Sequence, residues 1–118
     1  MSYLTQYATR RLAAASPGTR VDERAVLNLP DFDGGAHVRT FVEDTSRHRV
    51  GRRVPSPKLK LRIADCVNDV HLWFSVDSPA ERENSLRKID TLIAVLDRFR
   101  AALVAEAELR AVREQARR

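Results

Sequence analysis

Cys66 and His71 are the one thiol–imidazole pair in this sequence, five positions apart with Asp65 and Asp69 beside them. A histidine activates such a thiol only where a cleft holds the two together. A lone cysteine is more commonly a small apolar side chain, and Cys66 is expected to be buried as one at a strand end. His37, His48 and His71 are the only histidines, and none lies in an HxH or HExxH arrangement. Asp31 and Asp33 resemble the start of a calcium loop, but the twelfth position is Val42, where a glutamate is required. Asp90 and Asp97 share a helical face without an enclosing cleft to set their protonation. Gly34–Gly35 lacks the rest of a phosphate-binding loop. The chain is therefore read as non-enzymatic, with no cofactor and no metal centre.

Binding chemistry is better represented. Between positions 47 and 62 there are seven cations and no acid: Arg47, Arg49, Arg52, Arg53, Lys58, Lys60 and Arg62. The segments on either side each sum to −1, so this stretch carries the whole formal charge of +5. It can attract phosphate, as in DNA or RNA, or an acidic protein surface. Gly51, Pro55 and Pro57 equally mark residues 47–57 as a basic loop or connector whose charge keeps it solvated. Trp73 adds an aromatic that could stack on a base beside Lys58, Lys60 and Arg62. A covering of Trp73 by the N-terminal segment, through Tyr3, Tyr7 or Phe41, or by a dimer contact, is the simpler expectation.

The elements that position these residues follow from periodicity. Leu4, Ala8, Leu12 and Ala15 recur at helical spacing, predicting a short helix over 3–15 that stops at Pro17–Gly18. A second short helix is expected after Asp22, ending before Pro30 and burying Val26 and Leu29. It is too short to serve as the recognition helix of a helix-turn-helix. Val38, Thr40 and Val42 alternate with Arg39 and Phe41, predicting a strand over 37–43, paired either with residues 47–50 or with a later strand. Leu59, Leu61 and Ile63 alternate with Lys58, Lys60 and Arg62, and Val70, Leu72, Phe74 and Val76 with His71, Trp73 and Ser75. These predict two antiparallel strands, joined through Asn68–Asp69 by a connection longer than a two-residue turn.

Ser78, Pro79 and Glu81 form a capping box with proline at the first helical position. No glycine or proline follows through residue 116, so a single helix over 79–116 is expected, long enough to project beyond the body that carries it. Ile89, Leu92, Leu96, Phe99 and Leu103 make a heptad seam, widened by Leu86, Ile93 and Val104. The seam falters at Glu106 and Arg110. Residues 86–104 are expected to pack against the sheet and a second helix, as a short coiled coil in a homodimer. Arg98 and Arg100, against Glu106 and Glu108, favour antiparallel pairing.

Length and composition bound the rest. With 118 residues the chain has room for one domain and one core. Its apolar runs are far shorter than the roughly 18 residues of a membrane span, and its first residues lack a secretory pattern. One cysteine allows no intrachain disulfide. The expectation is a cytoplasmic α+β protein, a small antiparallel sheet packed with a long C-terminal helix and short N-terminal helices. Its function is read as homo-oligomeric interaction or assembly through Leu86, Ile89, Leu92, Ile93, Leu96, Phe99 and Leu103. The alternative is a nucleic-acid-binding accessory or regulatory protein using residues 47–62 and Trp73.

Overall fold

The computed structural model describes residues 18–32, 34–48 and 55–118. They form an α+β layout of four strands and one long helix. The strands are β1 (Thr19–Val26), β2 (His37–Glu43), β3 (Leu59–Asp65) and β4 (Asn68–Leu72), followed by α1 (Pro79–Ala116). The chain divides into two compact units at Ser78–Pro79, the sheet in the first and the helix in the second. The predicted helix over 3–15 lies outside the described residues.

The sheet is an antiparallel meander in the order β1-β2-β3-β4. Its register sorts side chains cleanly by face. Val21 and Ala25 pair with Val42 and Val38, which pair with Leu59 and Ile63, and Leu61 and Ile63 pair in turn with Leu72 and Val70. Because strand side chains alternate, these residues share one apolar face. Leu61 and Ala25 are its buried members. The predicted strand over 37–43 is β2 with the same bounds, and its partner is the later strand β3 rather than residues 47–50.

β1 corrects the expectation of a second short helix. Residues 22–26 pair with β2 at every position from Asp22↔Phe41 to Val26↔His37. Asp-Glu-Arg-Ala is locally compatible with a helix, but pairing satisfies the backbone and places Ala25 in the core, and tertiary context overrides a weak propensity. An irregularity in register between Thr19 and Val21 leaves Arg20 as an extra residue on the strand. Such a bulge re-aims a side chain, and Arg20 reaches Asp44 at 3.1 Å.

The β3–β4 connection is also corrected. It has two residues, Cys66 and Val67, and Cys66 adopts a positive φ of 55°. A tight hairpin turn needs positive φ, usually supplied by glycine or asparagine; here a cysteine takes it. Cys66 is consequently exposed in the turn rather than buried at a strand end. Its amide donates to the carbonyl of Gly34 at 3.1 Å, tying this turn to the β1–β2 connection. β4 ends at Leu72, so Trp73–Val76 lie beyond the strand that the alternation predicted for them.

The helix begins at Pro79, directly after Ser78, and runs 38 residues to Ala116, as the capping box and the absence of breakers predict. Glu81 stands in its first turn and Arg113 in its last, each complementing the helix dipole. At 1.5 Å per residue α1 is about 57 Å long. Among the described residues, no helix is long and apolar enough to cross a membrane.

Candidate functional site

Two surfaces concentrate the residues singled out above. The first is on α1. At 3.6 residues per turn, Ile89, Leu92, Leu96, Phe99 and Leu103 fall on one stripe, with Leu86, Ile93 and Val104 along its border. Ile89 and Leu92 are half-buried. The others are open: Leu86 is 65% exposed, Phe99 62% and Leu103 55%, with Ile93 and Leu96 also exposed. Val95, Leu109 and Val112 are exposed as well. Scattered apolar side chains on a surface are ordinary; these lie along one stripe of one helix.

The second surface is the polar face of the sheet, and only the register reveals it. Arg24 pairs with Arg39, Arg39 with Arg62, and Arg62 with His71. The four side chains form one row across four strands, about 14 Å long at strand spacing. Like charges directly opposite one another destabilise a sheet, and two carboxylates offset the row. Arg39 donates to Asp22 at 3.4 Å, and Nε of Arg62 donates to Asp69 at 3.0 Å. Lys60 lies across from Phe41 on the same face and is exposed.

The basic segment is thus partly resolved into positions. Lys60 and Arg62 stand on β3, and Lys58 immediately precedes it, its amide donating to Glu43 at 3.0 Å. Arg47 is exposed in the turn after β2. Arg49, Arg52 and Arg53 lie outside the described residues. Trp73, just past β4, is 79% exposed; the N-terminal segment expected over it is not among the described residues. Sequence reasoning missed Arg24 and Arg39, because the short helix expected after Asp22 concealed that Arg24 belongs to a strand. The alternation of Val21, Glu23 and Ala25 with Asp22 and Arg24 was the available signal.

Just past the end of β2, where its amide donates to the carbonyl of Gly18 before β1, Asp44 is held below the usual carboxylate range. The largest cause is the backbone amide of Ser46, which donates to Asp44 at 2.9 Å, followed by the Ser46 hydroxyl; Arg20 and Arg47 add favourable charge. Desolvation opposes them and is outweighed, so the ionised form is favoured. Cys66 occupies its exposed turn, and His71 lies on β4 opposite Arg62. Among the described residues no group of three or more histidine, cysteine, aspartate or glutamate side chains is placed to hold a metal ion.

The arrangement therefore offers two binding chemistries, apolar burial along α1 and anion attraction across the sheet. Comparison with protein-family models, curated proteins and solved structures finds no match to this chain.

Proposed function

We propose that this protein is a small homo-oligomeric interaction or assembly module, dimerising through residues 86–104 of α1. The observation that carries the reading is the open apolar stripe, in which Leu86, Ile93, Leu96, Phe99 and Leu103 all remain exposed on a single chain. Burying such side chains is worth roughly 1.5–3 kcal/mol each, so leaving them in water makes association favourable. A twofold dimer closes on itself and needs no further partner to finish the surface. The heptad spacing fits helix-to-helix packing better than docking of an extended peptide.

Sedimentation equilibrium tests this. The expected result is a mass near twice 13.4 kDa, with dissociation only on dilution. A single-chain mass that persists to about 100 μM, far above a typical micromolar dissociation constant, overturns the reading.

The Arg24–Arg39–Arg62–His71 row favours a second reading, a nucleic-acid-binding accessory or regulatory protein. The row presents cations on the face where Lys60 also stands, although Asp22 and Asp69 already engage two of its arginines. Binding of single-stranded and duplex DNA and RNA, titrated at two salt concentrations, tests it. Affinity that falls steeply with salt and is weakened by Arg39→Gln with Arg62→Gln supports the reading. No binding at low salt removes it.

A further inference from the structure

We infer that β4 is an assembly edge: two copies of this chain pair their β4 strands antiparallel about a twofold axis at Val70, joining two four-stranded sheets into one of eight strands. This goes beyond the α1 dimer, uses a different surface and does not depend on it.

β1 and β4 are the outer strands of the meander. An outer strand presents unpaired amides and carbonyls to any chain that can match them. The two edges differ. β1 carries a bulge at Arg20, a device that blunts an edge, whereas β4 pairs with β3 without a break from Asn68 to Leu72. Asn68, Asp69, Val70 and His71 are all exposed. Val70 lies beside Ile63 on the apolar face of the sheet, yet it is 53% exposed, because the sheet stops at its strand.

The two-residue turn at Cys66–Val67 makes Asp65 and Asn68 the hydrogen-bonded pair that closes the hairpin. Such pairs alternate along an antiparallel ladder. Asn68, Val70 and Leu72 therefore turn their main-chain groups toward β3, and Asp69 and His71 turn theirs outward. Among the described residues, no backbone hydrogen bond beyond the sheet reaches these outward groups. A partner strand bonds to β4 through those two residues.

The side chains select one alignment and a second copy as the occupant. An axis at Asp69 sets that carboxylate against the partner's Asp69, and like charges directly opposite one another work against pairing. An axis at His71 sets imidazole against imidazole. An axis at Val70 instead places Asp69 opposite the partner's His71, and His71 opposite the partner's Asp69. A carboxylate facing an imidazole accepts its N–H, and Asp69 has an oxygen for this: Arg62 donates from both Nε and its terminal nitrogen to Oδ2, leaving Oδ1 to the partner's His71. The main chains exchange hydrogen bonds at both pairs. Sliding by a single residue sets outward groups against inward ones and forms none. Val70 packs on the partner's Val70, and an axis normal to the sheet makes the two apolar faces continuous. With only five residues β4 is the lesser of the two contacts. With α1 paired as well, each chain has two twofold contacts and assembly continues past two copies.

The test uses full-length chains in a Cys66→Ser background. In Val70→Cys the axis brings two thiols together at a non-hydrogen-bonded pair, with Cα atoms about 4.5 Å apart, within the span of a disulfide. Lys60→Cys is the control, also exposed but on an inner strand. Mild oxidation is expected to link Val70→Cys to itself about tenfold faster than the control, or more. Adding His71→Asp, which sets carboxylate against carboxylate at both flanking pairs, should slow that linkage about tenfold. Adding Asp69→His to the same chain should restore it, and Arg62, directly across from position 71, keeps a carboxylate beside it. Positions 69–71 are exposed, so circular dichroism should show the fold unchanged in every variant. The linkage should also persist with Phe99→Ala, which weakens α1 pairing. Linkage no faster than that of Lys60→Cys overturns the inference and leaves the α1 dimer standing. Fast linkage that ignores His71→Asp, or that Phe99→Ala abolishes, overturns it as well, since another contact would then be bringing the chains together.

Discussion

Phe99→Ala and Leu61→Ala remove large apolar side chains from contrasting surroundings, and their comparison separates burial within one chain from burial between chains. Leu61 is 9% exposed, flanked by Thr40 on β2 and Leu72 on β4. Its truncation is expected to cost about 2–5 kcal/mol, whatever the protein concentration. Phe99 is 62% exposed on the single chain, so only about a third of its surface is withdrawn from water. Full truncation of a buried phenylalanine costs about 3–5 kcal/mol; scaled by that fraction, the single-chain cost is roughly 1–2 kcal/mol. In a dimer that covers Phe99, the full cost applies to each copy and appears as weakened association. Urea unfolding at protein concentrations spanning about two decades is the assay, because dimer stability depends on concentration by mass action. Wild type should unfold at higher urea as concentration rises, and Phe99→Ala should lose most of that dependence. Leu61→Ala should lower the whole series in parallel. A concentration-independent loss of 3 kcal/mol or more for Phe99→Ala, in the range given for a buried aromatic, would refute the reasoning, since it would mean that Phe99 is buried within its own chain.

Three further predictions concern the connections of the sheet. Cys66→Gly should raise stability by about 0.5–1 kcal/mol in chemical denaturation, because glycine adopts the positive φ at that turn without strain. Gly34→Ala should lower stability by about 1–3 kcal/mol in the same measurement: its φ is 115°, and a Cβ there would lie 3.4 Å from Cys66 Sγ. Asp44 should titrate below its ordinary value of 3.8 when followed by carboxyl NMR, chiefly because the Ser46 amide and hydroxyl bind its ionised form. A carboxylate depressed in the folded state contributes stability above its unfolded pKa and loses it as pH falls through the folded value. Asp44→Asn should therefore flatten the acid side of the stability profile, below about pH 4, and leave its slope near neutrality unchanged.

The long helix and the middle of the sheet were legible because their signals are local. Ser78-Pro79 with Glu81 states where α1 starts, and the lack of a breaker through residue 116 states how far it runs. Val38, Thr40 and Val42, like Leu59, Leu61 and Ile63, repeat every second residue and read directly as half-buried strands. β1 was hidden because Asp22–Ala25 carries good helix formers, and its strand conformation is decided by pairing with β2. The β3–β4 turn was hidden because Cys66 is not a residue that announces positive φ. The basic row could not be read at all from one dimension. Arg24, Arg39 and Arg62 are 15 and 23 positions apart, and their alignment exists only once two strand registers are fixed. The apolar seam of α1, by contrast, was visible in its spacing; the structure added the openness of its side chains.

The strand order has a kinetic consequence. Every strand of this meander pairs only with its neighbour in sequence, so no pairing waits for a distant part of the chain. The three connections differ widely in length: two residues between β3 and β4, ten between β1 and β2, and fifteen between β2 and β3. Closing a loop costs about 0.6 kcal/mol more for each doubling of its length, which ranks the hairpins in that same order. β3–β4 should zip first, on the microsecond scale of a tight hairpin, with β1–β2 forming independently of it. Joining the two hairpins across residues 44–58 is then the slow search. Shortening that connection should accelerate refolding while barely changing the unfolding rate, as stopped-flow chevrons would record. The basic segment begins within this connection, so its length sets a folding clock as well as a spacing of charge.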